Sequence, residues 1–229
     1  MQEQIPILGA SPIRKEGRAK VLGAAKYIDD QELPGMWFGA TVRSAIARGR
    51  IRSITLSDTV DWSEFAVVRA RDIPGENTII HLTKDHPCLA ADHVNHPEEP
   101  ILLIAHPDKS ALLAGLKGVV VEYDPLPGVF TIEESEEAVA NNDVDRIIWP
   151  GSDMGGTANC FKQYMMHSGD EKEVEAGLAD AFENADFIVE GEYRTGAQEQ
   201  LYIENNGVIA ECFRDATGKI ESVCVRGSM

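Results

Sequence analysis

Nitrogen and sulfur donors crowd one stretch of the chain, where His81, His86, Cys88, His93 and His96 follow one another closely. Imidazole and thiolate are the usual ligands of zinc and copper. Their spacing matches no recognised zinc pattern. They fall between a Pro74-Gly75 turn and an apolar run that opens at Ile101, so the expected arrangement is a loop of solvated or locally bonded histidines and no metal ligand. Equimolar zinc is therefore expected to leave the melting temperature unchanged. A large shift abolished by mutating His93 and His96 would overturn that expectation. Glu199 and Glu204 are the other residues of chemical interest, since a buried carboxylate can be tuned towards neutral pH for acid or base work.

The remaining thiols, Cys160, Cys212 and Cys224, form no CxxC pair with one another or with Cys88. Neither a zinc knuckle nor an iron–sulfur loop is indicated, and reduced, mostly packed thiols are expected. A net charge of -17 argues against nucleic acid as a partner, because phosphate binding is carried by Lys and Arg. No apolar run reaches the length needed to cross a bilayer, so no membrane partner is expected. Met1 to Pro12 lacks the basic start and apolar stretch of a secretory signal, which makes the cytoplasm the default compartment.

Positioning any of these residues is the task of an α+β chain with two expected units. An N-terminal arm, 1–32, is rich in Gly, Arg and Lys without periodicity. A first domain, 33–135, opens on the turn Leu33-Pro34-Gly35 and continues with strands over Met36–Val42 and Arg50–Leu56 joined by a loop. In the second strand Ile51, Ser53 and Thr55 alternate with Arg52, Ile54 and Leu56. Phe65–Ala70 is a third strand. Pro100–His106 is a continuous apolar strand, followed by Asp108 as N-cap of a helix with Ala111, Leu112 and Leu116 on one face, then a strand over Val119–Tyr123. That order suggests a crossover unit.

From Glu133 to Gly156 the chain reads as acidic and irregular, and a linker, 136–169, is expected there. The final segment, 170–229, should open with a helix. Asp170 and Glu173 have capping-box spacing, and Val174, Leu178, Ala181, Phe182 and Ala185 keep a helical period. Phe187–Arg194 alternates like a half-buried strand. A hairpin over Gly207–Phe213 and Ile220–Val225 turns at Asp215-Ala216-Thr217-Gly218. With few elements left to cover it, this second unit is expected to be incomplete, and its open edges to favour a homo-oligomer.

Three stretches, in order, resemble the molybdenum-binding subunit of the xanthine dehydrogenase and aldehyde oxidase family. Leu33-Pro34-Gly35-Met36 through Val42-Arg43-Ser44 is similar to the opening of the a/b hammerhead domain. The family's histidines are absent from the Ala45–Arg50 loop. Asp72–Asn77 through Val121-Glu122-Tyr123-Asp124-Pro125-Leu126-Pro127 looks like the rest of that domain, with Glu98-Glu99-Pro100 where the family usually has Gly, then Gln or Glu, then Pro. Gly191-Glu192-Tyr193-Arg194-Thr195-Gly196-Ala197-Gln198-Glu199-Gln200-Leu201-Tyr202-Ile203-Glu204 resembles the start of the molybdopterin-binding domain.

The resemblance implies a hammerhead domain followed by an incomplete α+β start of a molybdopterin-binding domain. It also implies that Gln198 approaches the molybdenum centre. A glutamine amide, with two donors and an acceptor, suits an oxo or hydroxo ligand it does not displace; read without the family, it would be a buried glutamine bridging strand ends. The family's general base lies far towards the C-terminus, so neither Glu199 nor Glu204 inherits that role and no catalytic residue is assigned. The implied activity is hydroxylation of an aromatic heterocycle or an aldehyde by a molybdopterin cofactor. Its implied partners are the remainder of the subunit and iron–sulfur and FAD subunits or domains. The chain alone is expected to bind no cofactor and to be inactive. The alternative is a non-catalytic binding or scaffold module that keeps the hammerhead fold.

Overall fold

The computed structural model describes residues 9, 11–79, 84, 86–149, 151, 157–160, 162–164, 166, 168–199, 201–202 and 205–227. It divides into two compact units, one of Gly35–Glu190 and one of Met1–Pro34 with Gly191–Met229.

In the larger unit six strands build two sheets. Strands β1 (Phe38–Arg43), β3 (Ala66–Arg69) and β5 (Pro100–His106) form one, in the order β1-β5-β3. Strands β2 (Gly49–Leu56), β4 (His93–Val94) and β6 (Val119–Pro125) form the other, in the order β4-β2-β6. All of these pairings are antiparallel. The expected crossover unit is therefore corrected: β5 and β6 flank a helix as read, but they lie in different sheets. Strands β1 and β2, read as joined by a loop, also lie in different sheets. Between them Ser44 turns the chain out of the first sheet. It is buried, its N–H donates to Glu99 O at 2.9 Å, and its carbonyl accepts from Glu98 N at 3.0 Å.

Burial explains the central strand. Leu102 and Ile104 on β5 are fully enclosed together with Leu112 of helix α2 (Lys109–Lys117), and Phe38, Ala40, Val42, Phe65 and Val67 pack around them. Alternation puts Leu103 on the other side, partly in solvent. Helix α2 starts where expected, because the Asp108 carboxylate accepts from Ala111 N at 2.7 Å. A second cluster, Ala90, Val94 and Ile101, gathers Ile46, Ile51, Ile54, Val121 and Tyr123. Simple alternation along β2 would send Ile51 and Ile54 to opposite faces. A register shift between Ile51 and Ser53 puts both on this cluster, opposite Tyr123 and Val121.

The Glu98-Glu99-Pro100 turn needs one left-handed residue and one buried acceptor. Glu98 sits in the left-handed region at φ 64°, which glycine adopts freely and other residues adopt at about 1–2 kcal/mol. Glu99 is buried, and its carboxylate accepts from Asn95 N at 2.5 Å. Glu98→Gly is expected to raise stability by about 0.5–1 kcal/mol, the relief of that strain less glycine's added unfolded-state entropy. A urea midpoint that falls instead would mean that the Glu98 side chain holds the turn.

The stretch read as irregular contains a helix, α3 (Ile132–Ala140). Thr131 accepts from Glu134 N at 3.1 Å while the Glu134 carboxylate accepts from Thr131 N at 3.3 Å, a complete capping box. Beyond it, the Arg146 guanidinium donates to Asp143 at 2.7 Å, which holds the Asp143 carboxyl below its usual range. Arg48 ties this segment to the sheets by donating to the carbonyls of Pro127, at 2.8 Å, and Asp145. Helix α4 (Glu171–Glu183) forms where predicted, with Asp170 accepting from Lys172 N. Its apolar residues Leu178 and Phe182 remain more than half exposed.

In the smaller unit, β7 (Val208–Arg214) and β8 (Ile220–Gly227) make the expected hairpin. Ile28, read as part of a loose arm, is buried, and a Cβ at Gly207 would come within 2.7 Å of it. At the turn, Asp215 accepts from the side chain and N–H of Thr217 at 2.6 and 2.8 Å and from Lys219 N at 3.0 Å. The Thr217 side-chain bond, then its backbone bond, does most to lower the Asp215 pKa. A carboxyl depressed on folding stabilises fully above its unfolded value, about 3.9, and that contribution is lost as pH falls through the lower folded value. Cross-strand NMR contacts between Cys212 and Val223 should therefore survive to about pH 4 and weaken below it. In Asp215→Asn that acid step should be absent; an unchanged step would assign it to another carboxyl.

Candidate functional site

The segment that carries Gln198 leaves α4 as extended chain. From Gly191 to Glu199 every residue is exposed and none is in a regular strand. The strand expected over Phe187–Arg194 is thus absent, although its alternation is real. An amphipathic segment becomes a strand only against an open sheet edge and a surface that covers its apolar face. Phe187, Val189 and Tyr193 are each more than nine-tenths exposed. Arg194 instead donates to Glu192 at 2.6 Å. Leu201 and Tyr202 are exposed too, while Gln200, Ile203 and Glu204 lie outside the described residues.

Gln198 itself is exposed. Its two N–H donors and its carbonyl could meet an oxygen ligand of a metal, but described residues do not enclose it. An exposed amide with no enclosing side chains among the described residues is not a cofactor cradle.

The donor-rich loop does not assemble a metal centre among the described residues. His93 lies on β4, paired with Arg50 of β2. His86 and His96 approach edge to face with ring centroids 6.1 Å apart, and the His96 Nδ1 lies 2.8 Å from Pro97 O. Cys88 is half-buried, and His81 is outside the described residues. All four thiols are free; three are half-buried and Cys212 is exposed. Sequence reasoning also passed over Arg48 and Glu99, which fix the turns around the first domain. The one signal for Glu99 was its place in the family-like Glu98-Glu99-Pro100 turn.

No helix among the described residues is long and apolar enough to cross a membrane. Residues 22–127 match the family model for the a/b hammerhead domain of aldehyde oxidase and xanthine dehydrogenase. Over 206 residues the chain is 29% identical to the nicotinate dehydrogenase large molybdopterin subunit of Eubacterium barkeri, covering 89% of this chain and 44% of that one. It is also 29% identical, over 87% of its length, to xanthine dehydrogenase 1 of Arabidopsis thaliana, of which it covers 13%. The fold is similar to part of quinoline 2-oxidoreductase from Pseudomonas putida 86, with a TM-score of 0.67, 21% identity, and coverage of 93% of this chain and 26% of the other. The chain thus spans less than half the length of these relatives. The matched residues 22–127 hold both three-stranded sheets and the turns that link them at Ser44 and Glu98, so this part of the chain is similar to the a/b hammerhead domain of aldehyde oxidase and xanthine dehydrogenase.

Proposed function

We propose that this chain is the front of the molybdenum-binding subunit of a molybdenum hydroxylase, and that Gln198 presents its amide to the molybdenum centre. The observation that carries the reading is the order of the parts. A hammerhead domain at 22–127 is followed by a Gln198 segment that stands in solvent with Phe187, Val189, Tyr193 and Leu201 uncovered. Segments 136–169 and 170–229 then serve as linker and as the start of the cofactor domain, completed by the remainder of the subunit.

The bound cofactor supplies oxygen transfer to carbon, on an aromatic heterocycle or an aldehyde, and iron–sulfur and FAD partners in the cytoplasm take the electrons. This chain's own contribution is positional. Gln198 donates to or accepts from an oxygen beside the metal. Alone, the chain is proposed to bind no cofactor.

The test is metal and pterin analysis of the purified chain, alone and after co-expression with the remaining part of a family molybdenum subunit. Stoichiometric molybdenum is expected in the complex only. A tight complex without molybdenum, or no complex, would favour a scaffold that merely retains the fold.

A further inference from the structure

Asn206 is followed by glycine, and no other asparagine of the chain is. The pair lies just ahead of β7, outside any helix or strand, with Asn206 exposed and Gly207 half-buried. An asparagine amide can react with the main-chain nitrogen that follows it, closing a cyclic imide. A side chain on the following residue hinders that approach, and glycine has none. Several other asparagines are also tied down. Asn77 donates to Leu89 O at 2.7 Å and accepts from Leu89 N at 3.0 Å, while the Asn159 amide meets Ile148 N, Trp149 N and Arg146 O. Asn184 donates to the carbonyl and carboxylate of Asp180. Among the described residues no such bond holds the Asn206 amide.

The main chain directly after Asn206 has little freedom to shift. The N-terminal arm carries helix α1 (Gly17–Val21), which buries none of its residues. Among the described residues of that arm the buried one is Ile28, 8% exposed. Ile28 closes on Gly207, where a Cβ would lie 2.7 Å from Cγ2 and 3.4 Å from Cγ1 of the isoleucine. At the end of β8, a Cβ on Gly227 would lie 3.2 Å from Gly207 O. Gly207 is thus confined between the arm and the hairpin.

We propose that Asn206-Gly207 is a self-modification site, at which asparagine converts to isoaspartate and releases Ile28 from the hairpin. The Gly207 nitrogen attacks Asn206 Cγ. As the N–Cγ bond forms, the Cγ–Nδ2 bond breaks, and ammonia leaves with the proton of the Gly207 N–H. Water, the sole co-reactant, then opens the imide. Addition at Cγ restores the ordinary main chain with an aspartate side chain. Addition at the main-chain carbonyl of residue 206 instead routes the chain through Cβ and Cγ. That product has one more methylene in its main chain just before Gly207 and a free carboxylate beside it. Close packing leaves Gly207 no way to take up the added length while keeping Ile28 in place. The inference stands apart from the molybdenum reading, because it concerns neither Gln198 nor a cofactor.

Ageing the full chain at physiological temperature, with peptide mass mapping, tests it. The peptide that contains Asn206 is expected to gain the mass of an amide-to-acid exchange and to separate into two chromatographic forms. Conversion should be faster in mildly alkaline buffer, since the attacking nitrogen must lose its proton. It should outrun conversion of Asn142 and Asn205 by about tenfold or more, because neither precedes glycine. NMR contacts between the Ile28 methyl groups and Gly207 should be lost in the isoaspartyl form. They should persist in fresh Asn206→Asp, which carries the charge without the added methylene, and in Asn206→Ser aged alongside. An Asn206 that keeps its amide while other asparagines convert would overturn the proposal. So would an isoaspartyl form that retains the Ile28 contact, or loss of that contact already in fresh Asn206→Asp.

Discussion

Ile104→Ala is expected to remove about 2–5 kcal/mol of stability, the range for emptying a fully enclosed aliphatic site. Ile104 occupies the middle of the central strand, opposite Ala40 on β1 and Val67 on β3, with Leu112 in the same buried cluster. Alanine would leave a void bounded on both flanks by paired backbone, which cannot close inward without breaking ladder bonds. Trp62 belongs to the same cluster, so its fluorescence in urea reports the transition. Leu103→Ala provides the comparison one residue away, because Leu103 is 41% exposed. Its loss should be about 1 kcal/mol or less, in line with the smaller area it hides. Equal losses at the two positions would contradict the facing of β5.

Gly115→Ala tests the other side of the same core and runs against ordinary helix chemistry. In an open helix that exchange is worth about 0.5–1 kcal/mol in favour of alanine. Here a Cβ would lie 2.6 and 2.8 Å from Cε1 and Cζ of Phe65. That ring has little room to retreat, since it leans on Trp62 at 5.0 Å and on buried His106 at 4.6 Å. Overpacking costs about 1–3 kcal/mol, so the net effect should be destabilising. In a Phe65→Leu background the clash is gone and the sign should reverse, an interaction that a double-mutant cycle reads directly. A stabilised single mutant would show that α2 does not press on Phe65.

These contrasts also show what could be read from the residues and what could not. Helix α2, its Asp108 cap and the Asp215–Gly218 turn are local: each is decided by side chains within a few positions, and each was legible. Helix α3 was equally local, with its Thr131-x-x-Glu134 box, but four carboxylates in nine residues masked an apolar face that is narrow and ends in Ala138. Sheet membership is not local. Nothing in β1 or β2 says that their partners are β5 and β6, because the decision is made by a corner at Ser44 whose two backbone groups are satisfied by Glu98 and Glu99, far along the chain. The β2 bulge had the same origin, since its shift answers to Tyr123 and Val121 across the sheet. The resemblance located Gln198, but its exposure could only come from coordinates, because exposure depends on which surfaces are there to cover a segment.

Among the described residues the strands of the larger unit alternate: β1, β3 and β5 in one sheet, β2, β4 and β6 in the other. Every link between successive strands therefore passes from one sheet to the other. On a ribosome, neither sheet can close early. The centre of the first, β5, is made last among its members, and the second waits for β6, whose final residue is Pro125. Such interleaving replaces stepwise growth with one late, collective event and places the domain among slow folders. It also makes the domain indivisible: any cut between β1 and β6 separates partners in at least one sheet, and any cut between β2 and β5 does so in both, so a gene split that leaves a working hammerhead must fall outside those strands.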